Sequence, residues 1–159
     1  MAATGPVFLG AAFAVGWTVA EILSVSLNSS RIAERLVRAA PLCGAEGLSL
    51  AAVTQERDAP WKVVGLWAIA LCIAGCGAAM AWPHVSAWLM RTVDALEGGV
   101  AAAAINTVQS ISGVFGAGLA GVVVNLTTCG ELAAGRWLFA GFAVLTSIGM
   151  VGSFRTVGR

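Results

Sequence analysis

The chain has 159 residues, 58% of them hydrophobic and 11% charged, with a mean hydropathy of +0.88, which leaves too little polar surface to clothe a water-soluble core. A formal charge of +1, with no basic block beyond Arg31, Arg35 and Arg38, lacks the electrostatic footprint of a nucleic-acid-binding protein. Charge-free stretches from Val63 to Met90 and from Gly98 to Gly130 exceed the roughly 20 apolar residues needed to cross a bilayer, and period-two alternation is absent. Helices, which satisfy their own backbone groups in lipid, are the expected elements, so the fold class is an all-α membrane protein.

The first span is expected at Pro6 to Ser30, with Pro6 tolerated near a helix start. Within it Thr18, Glu21, Ser24, Asn28 and Arg31 recur at helical spacing and draw a polar stripe that cannot face lipid. Glu21 is the leading functional candidate, because a carboxylate at membrane depth costs about 2.5–3.5 kcal/mol and is usually kept for a pathway or a proton relay. The structural alternative is a hydrogen bond to Thr18, Ser24 or a neighbouring helix.

Ser30 to Arg38 follows as a loop rich in arginine, and arginine flanking a span is retained on the cytoplasmic side. Arg31, Glu34, Arg35 and Arg38 are read as determinants of topology and gating rather than as ligands. The second span, Ala39 to Thr54, covers only about 24 Å at 1.5 Å per residue, marginal for a core of about 30 Å. It carries Glu46 near its middle, either a second proton or substrate group, or half of a structural pair, or a residue closer to the interface than these bounds put it. Gln55 to Lys62 is then an outside loop, with Trp61 and Trp67 as interfacial anchors.

The third span, Trp61 to Met90, contains Gly75, Gly77 and Pro83, and Pro83 is expected to kink it by removing one backbone bond. His84, the one histidine, follows directly; it either relays protons and touches substrate or bonds the carbonyl that Pro83 frees. The fourth span, Val100 to Asn125, sets Gly113, Ala117 and Gly121 at four-residue spacing beside Gly116, a face read as helix packing. Asn106 and Gln109 lie upstream on the same span, as cavity lining or as interhelical hydrogen bonds. Trp137 to Phe154 is the fifth span.

Five crossings with an outside amino terminus and a cytoplasmic carboxy terminus place Arg31, Arg35, Arg38, Arg91, Arg155 and Arg159 inside, and Arg57, Lys62 and Arg136 outside. An odd number of spans beginning outside reads as the carboxy-terminal part of a longer polytopic protein, with a first helix that is no cleaved signal peptide. Cys43, Cys72, Cys76 and Cys129 form neither a disulfide framework nor a zinc pattern and are read as packing residues. With no nucleophile and base in evidence and no metal cluster, neither an enzyme nor a cofactor is expected.

The stretch Ser30-Arg31-Ile32-Ala33-Glu34-Arg35-Leu36-Val37-Arg38 resembles the G-R-x-x-D-R-x-G-R loop of the major facilitator superfamily, with Ser30 and Val37 in place of glycines and Glu34 in place of the aspartate. Gly75-x-Gly77 through Trp82-Pro83-His84, then Gly98-Gly99, Asn106-Thr107-Val108-Gln109 and Gly113 to Gly121, is similar in order to the last third of the drug:proton antiporters of that superfamily. The resemblance implies the last five spans of a transporter of two six-helix halves, working by rocking of one half against the other, with the span of His84 lining the cavity. It implies proton-coupled export of small hydrophobic or drug-like molecules across the cell membrane. The expected partners are the lipid bilayer, protons, the small-molecule substrate and either a missing amino-terminal half or further copies of the chain. A non-transporting fragment that binds partner helices, and a small self-assembling multidrug transporter, are the alternatives.

Overall fold

The computed structural model describes residues 4–27 and 29–157, with the side chains of 4–7, 95 and 154–157 excepted. Asn28 and Arg159, which the sequence placed in the polar stripe and at the cytoplasmic end, lie outside the described residues, as does the side chain of Arg155. Six α-helices account for nearly all of the described chain: α1 Thr4–Ser26, α2 Ser30–Val53, α3 Trp61–Met80, α4 Trp82–Thr92, α5 Gly98–Leu126 and α6 Glu131–Val157, with a short 3-10 turn Ala95–Glu97 before α5. Counting α3 and α4 as one run, five segments are long and apolar enough to cross a membrane. The chain is a multi-pass, all-helical membrane protein.

The helices pack in the order α1, α3, α2, α6, each lying along the next, while α5 touches mainly α6 and the end of α4. The buried residues at these contacts are almost all small: Ala20 and Ser24 on α1, Ala40, Gly44, Gly47, Ala51 and Ala52 on α2, and Ala70, Ala74, Gly75, Gly77 and Ala79 on α3. Large apolar side chains such as Ile22, Ile69 and Val114 are exposed, the reverse of a protein that folds in water. Lipid is as apolar as these side chains, so they gain nothing inside, and helices associate where small residues let backbones meet. At Gly16 a side chain would run into the carbonyl of Cys72, and at Gly77 into the backbone of Gly44. These approaches have no room for a Cβ.

Three expectations are corrected. Ser30–Arg38 is no loop but the first turns of α2, which starts from an extended Ser29 with φ −90° and ψ 130°. Arg31, Ile32, Ala33, Glu34, Arg35, Leu36 and Val37 include no helix breaker, and continuing the helix gives the second span 24 residues, about 36 Å, instead of a marginal length. The interruption of the third span falls at Ala81, with Pro83 in the first turn of α4 where a missing N–H costs nothing. The fifth span begins at Glu131, whose negative charge suits a helix amino terminus, not at Trp137. The Gly113, Gly116, Ala117 and Gly121 face, read as helix packing, meets little of this chain. Among the described residues nothing lies within 4 Å of a Cβ at Gly113 or Gly121, and at Gly116 only Phe142 comes near, at 3.9 Å.

Short connections make sequential helices antiparallel. The connections around 54–60 and 127–130 therefore share one end, and Arg136 Nη2 donates to Gln55 O across 2.8 Å to join them. The opposite end carries Arg31, Arg35 and Arg38 at the start of α2 and Arg91 in the last turn of α4.

Candidate functional site

The polar face of α1 meets the break between α3 and α4. That break exists because Pro83 has no N–H to offer the carbonyl one turn back, so the helix cannot run through without losing a bond. Met80 closes α3, and its carbonyl belongs to the last turn, which has no donor within the helix. Ser24, buried to 2% exposure, fills that need from the neighbouring helix: its Oγ donates to Met80 O at 2.7 Å. The same oxygen lies 2.8 Å from His84 Nε2. One hydroxyl thus ties together α1, the end of α3 and the start of α4.

Glu21 sits one turn before Ser24, half-buried, and its Oε2 accepts a hydrogen bond from Trp17 Nε1 at 3.1 Å. This differs from the alternatives weighed on sequence, in which Thr18, Ser24 or another helix was the partner. Thr18 is exposed and turns its hydroxyl to Ala14 O within its own helix, at 2.9 Å. Trp17 and Glu21 are four residues apart, a spacing that places them side by side on a helix. Phe13 lies beside Trp17 with ring centroids 6.3 Å apart, so one flank of the carboxylate is aromatic. A single neutral donor leaves the second carboxylate oxygen without a partner among the described residues.

His84 is half-buried and was expected to bond the carbonyl that Pro83 frees; its ring instead bonds Ser24, whose hydroxyl donates to Met80 O. The structure therefore sets His84 against Ser24 of α1, with Glu21 one turn earlier on the same helix. The other candidates are not drawn in. Glu46 is exposed on α2, and Asn106 and Gln109 are exposed on α5, a helix none of whose described residues is buried. Arg31, Glu34, Arg35 and Arg38 are all exposed on the first turns of α2.

An apolar groove of about 620 Å³ runs between α2, α3, α4 and α6, lined in part by Pro41, Gly44, Gly77, Val85, Phe142 and Thr146. Its volume suits a small hydrophobic molecule. Neither Glu21 nor His84 is among its lining residues. At the end that holds the connections, a more polar hollow of about 550 Å³ is bordered by Gln55, Glu56, Arg57, Asp58 and Glu131.

Cys43 and Cys76 pack where helices approach closely, Cys76 Sγ donating to Gly16 O at 3.3 Å and Cys43 Sγ to Ile73 O at 3.4 Å, whereas Cys129, also read as a packing residue, is exposed in the connection before α6. Two participants were not singled out from the sequence. Trp17 was legible, since an indole four residues before an intramembrane carboxylate has the spacing to donate to it. Ser86 on α4 was not: its hydroxyl is shielded and has no hydrogen-bond partner among the described residues, and no sequence signal marks it.

Comparison with known proteins adds an independent line. The chain is 55% identical over 153 residues to proteins named probable multidrug-efflux transporter from two strains of Mycobacterium tuberculosis, a match that takes in 96% of this chain and 32% of theirs. The chain thus spans about a third of the length of the curated relatives it matches. No family model matches the chain. No solved structure matches it either.

Proposed function

We propose that this chain forms part of a proton-coupled exporter of small hydrophobic or drug-like molecules, of the major facilitator type, in which Glu21 carries the coupled proton and His84 takes part beside it. The observation that carries the reading is the 55% identity, over nearly the whole chain, to proteins named for multidrug efflux. The structure supports it with two half-buried ionisable residues in the spans, Glu21 bonded to Trp17 and His84 bonded to Ser24, which lies one turn after Glu21. A carboxylate within a membrane span is costly and is usually kept for a pathway or a proton relay. Binding and release of a proton therefore changes the local energy enough to bias two arrangements of the helices, which is the requirement for coupling.

The α5 face bears on the same reading. Gly113, Ala117 and Gly121 are exposed, and burying such small-residue faces is what associates helices in lipid. In the proposed transporter these residues pack on helices supplied by the remainder of the transport unit. The alternative of a small self-assembling transporter uses a second copy for the same purpose.

The test is a chimera in which the matching segment of the mycobacterial relative is replaced by this chain. Cells expressing it should accumulate less of a fluorescent hydrophobic cation than control cells. Glu21→Gln should restore accumulation to the control level while protein abundance in the membrane stays nearly unchanged, because the amide keeps the shape and loses the titration. Undiminished export by that variant would refute the role given to Glu21.

A further inference from the structure

We propose that Ser24 is a positioning residue for His84, fixing the neutral imidazole as the Nε2–H tautomer and leaving Nδ1 as its one acceptor atom. A serine hydroxyl has one proton to give and two lone pairs with which to accept. Met80 O, 2.7 Å from Ser24 Oγ, can only accept, so the hydroxyl proton goes there. His84 Nε2, 2.8 Å from the same oxygen, then has to be the donor. The reverse arrangement, with the hydroxyl donating to a bare Nε2, would strip a donor from a carbonyl at the end of α3. Ser24 is buried to 2% exposure, which keeps water from replacing that donor.

The ring so fixed offers Nδ1 to whatever donates to it: a proton, or the N–H or O–H of a substrate such as a protonated amine or an alcohol. Without Ser24 the ring is free to exchange tautomers, and either nitrogen can be the acceptor. The use of Nδ1 in export rests on the reading of His84 given above, whereas the tautomer does not, and the two are tested apart.

His84 is the one histidine of the chain, so the full 159-residue protein labelled with ring-¹⁵N histidine and placed in lipid bilayers gives the spectrum of this imidazole alone. At a pH where the ring is neutral, the Nε2–H form should outnumber the Nδ1–H form by at least about tenfold, the preference set by a buried carbonyl that would otherwise lose its donor. Ser24→Ala should bring the two forms to comparable populations. A wild-type spectrum dominated by Nδ1–H, or an Ala variant with the wild-type spectrum, would overturn the assignment; the wild-type measurement decides even where the variant fails to fold. In the chimera, Ser24→Ala should reduce the initial rate of dye export. Unchanged export beside a wild-type Nε2–H spectrum would keep the tautomer and overturn its use in transport.

Discussion

At the scale of the residue, the proposed proton site rests on Trp17 and Glu21. The indole holds the carboxylate in place without neutralising it, so removing the N–H should impair export without abolishing it. Trp17→Phe keeps most of the aromatic volume and loses one hydrogen bond, worth about 1 kcal/mol net, or roughly fivefold. Initial rates of dye export by the chimera should therefore fall by about that factor, against complete loss for Glu21→Gln. Equal rates for Trp17→Phe and wild type would show that the bond seen at 3.1 Å does not matter to the working protein. Glu21 and His84 were legible in the sequence because an ionisable side chain inside an apolar run stands out by its cost. Ser24 as the partner of His84 was not legible. It lies 60 positions from His84, and only the register of α1 against the α3–α4 break brings the two within 2.8 Å.

Among the elements, the contrast lies between two sets of glycines. At Gly77 a Cβ would meet the carbonyl oxygen of Ala40 at 2.8 Å, in backbone that cannot yield cheaply, whereas at Gly121 nothing lies within 4 Å. Gly77→Ala should destabilise the purified chain by about 1–3 kcal/mol, as overpacking does in close-packed sites. Gly121→Ala should leave it unchanged or slightly more stable, since alanine is the better helix former. Thermal unfolding midpoints in detergent check this, and comparable losses at both positions would contradict the packing order described. The membrane-crossing segments could be read from apolar run lengths, and so could their number, five. Which small-residue face packs could not, because small-xxx-small appears on both α5 and the α2–α3 pair, and a single helix does not name its partner. The extra turns of α2 were missed because the arginines were read for their charge, although at positions 31, 35 and 38 they also recur with a helical period.

For the whole molecule, helix order sets which charges share an end. Arg31, Arg35, Arg38 and Arg91 gather at one end and Arg57, Lys62 and Arg136 at the other, so we propose that the larger group is held in the cytoplasm and the 127–130 connection lies outside. Cys129 is exposed in that connection, while the other three cysteines are half-buried in the helices. A membrane-impermeant maleimide should label the chain in intact cells, and Cys129→Ala should remove the signal. Labelling that appears only after the cells are opened would invert the topology. The central claim, that a proton taken up at Glu21 drives export, is tested most directly in vesicles. With the chimera reconstituted and a pH gradient imposed, addition of a transported hydrophobic cation should release protons down the gradient, as read by an internal pH dye. The account predicts that Glu21→Gln abolishes this proton release and the uphill movement of the cation together; uphill movement that persists in the variant, or that occurs in the unmodified chimera without proton release, would contradict it.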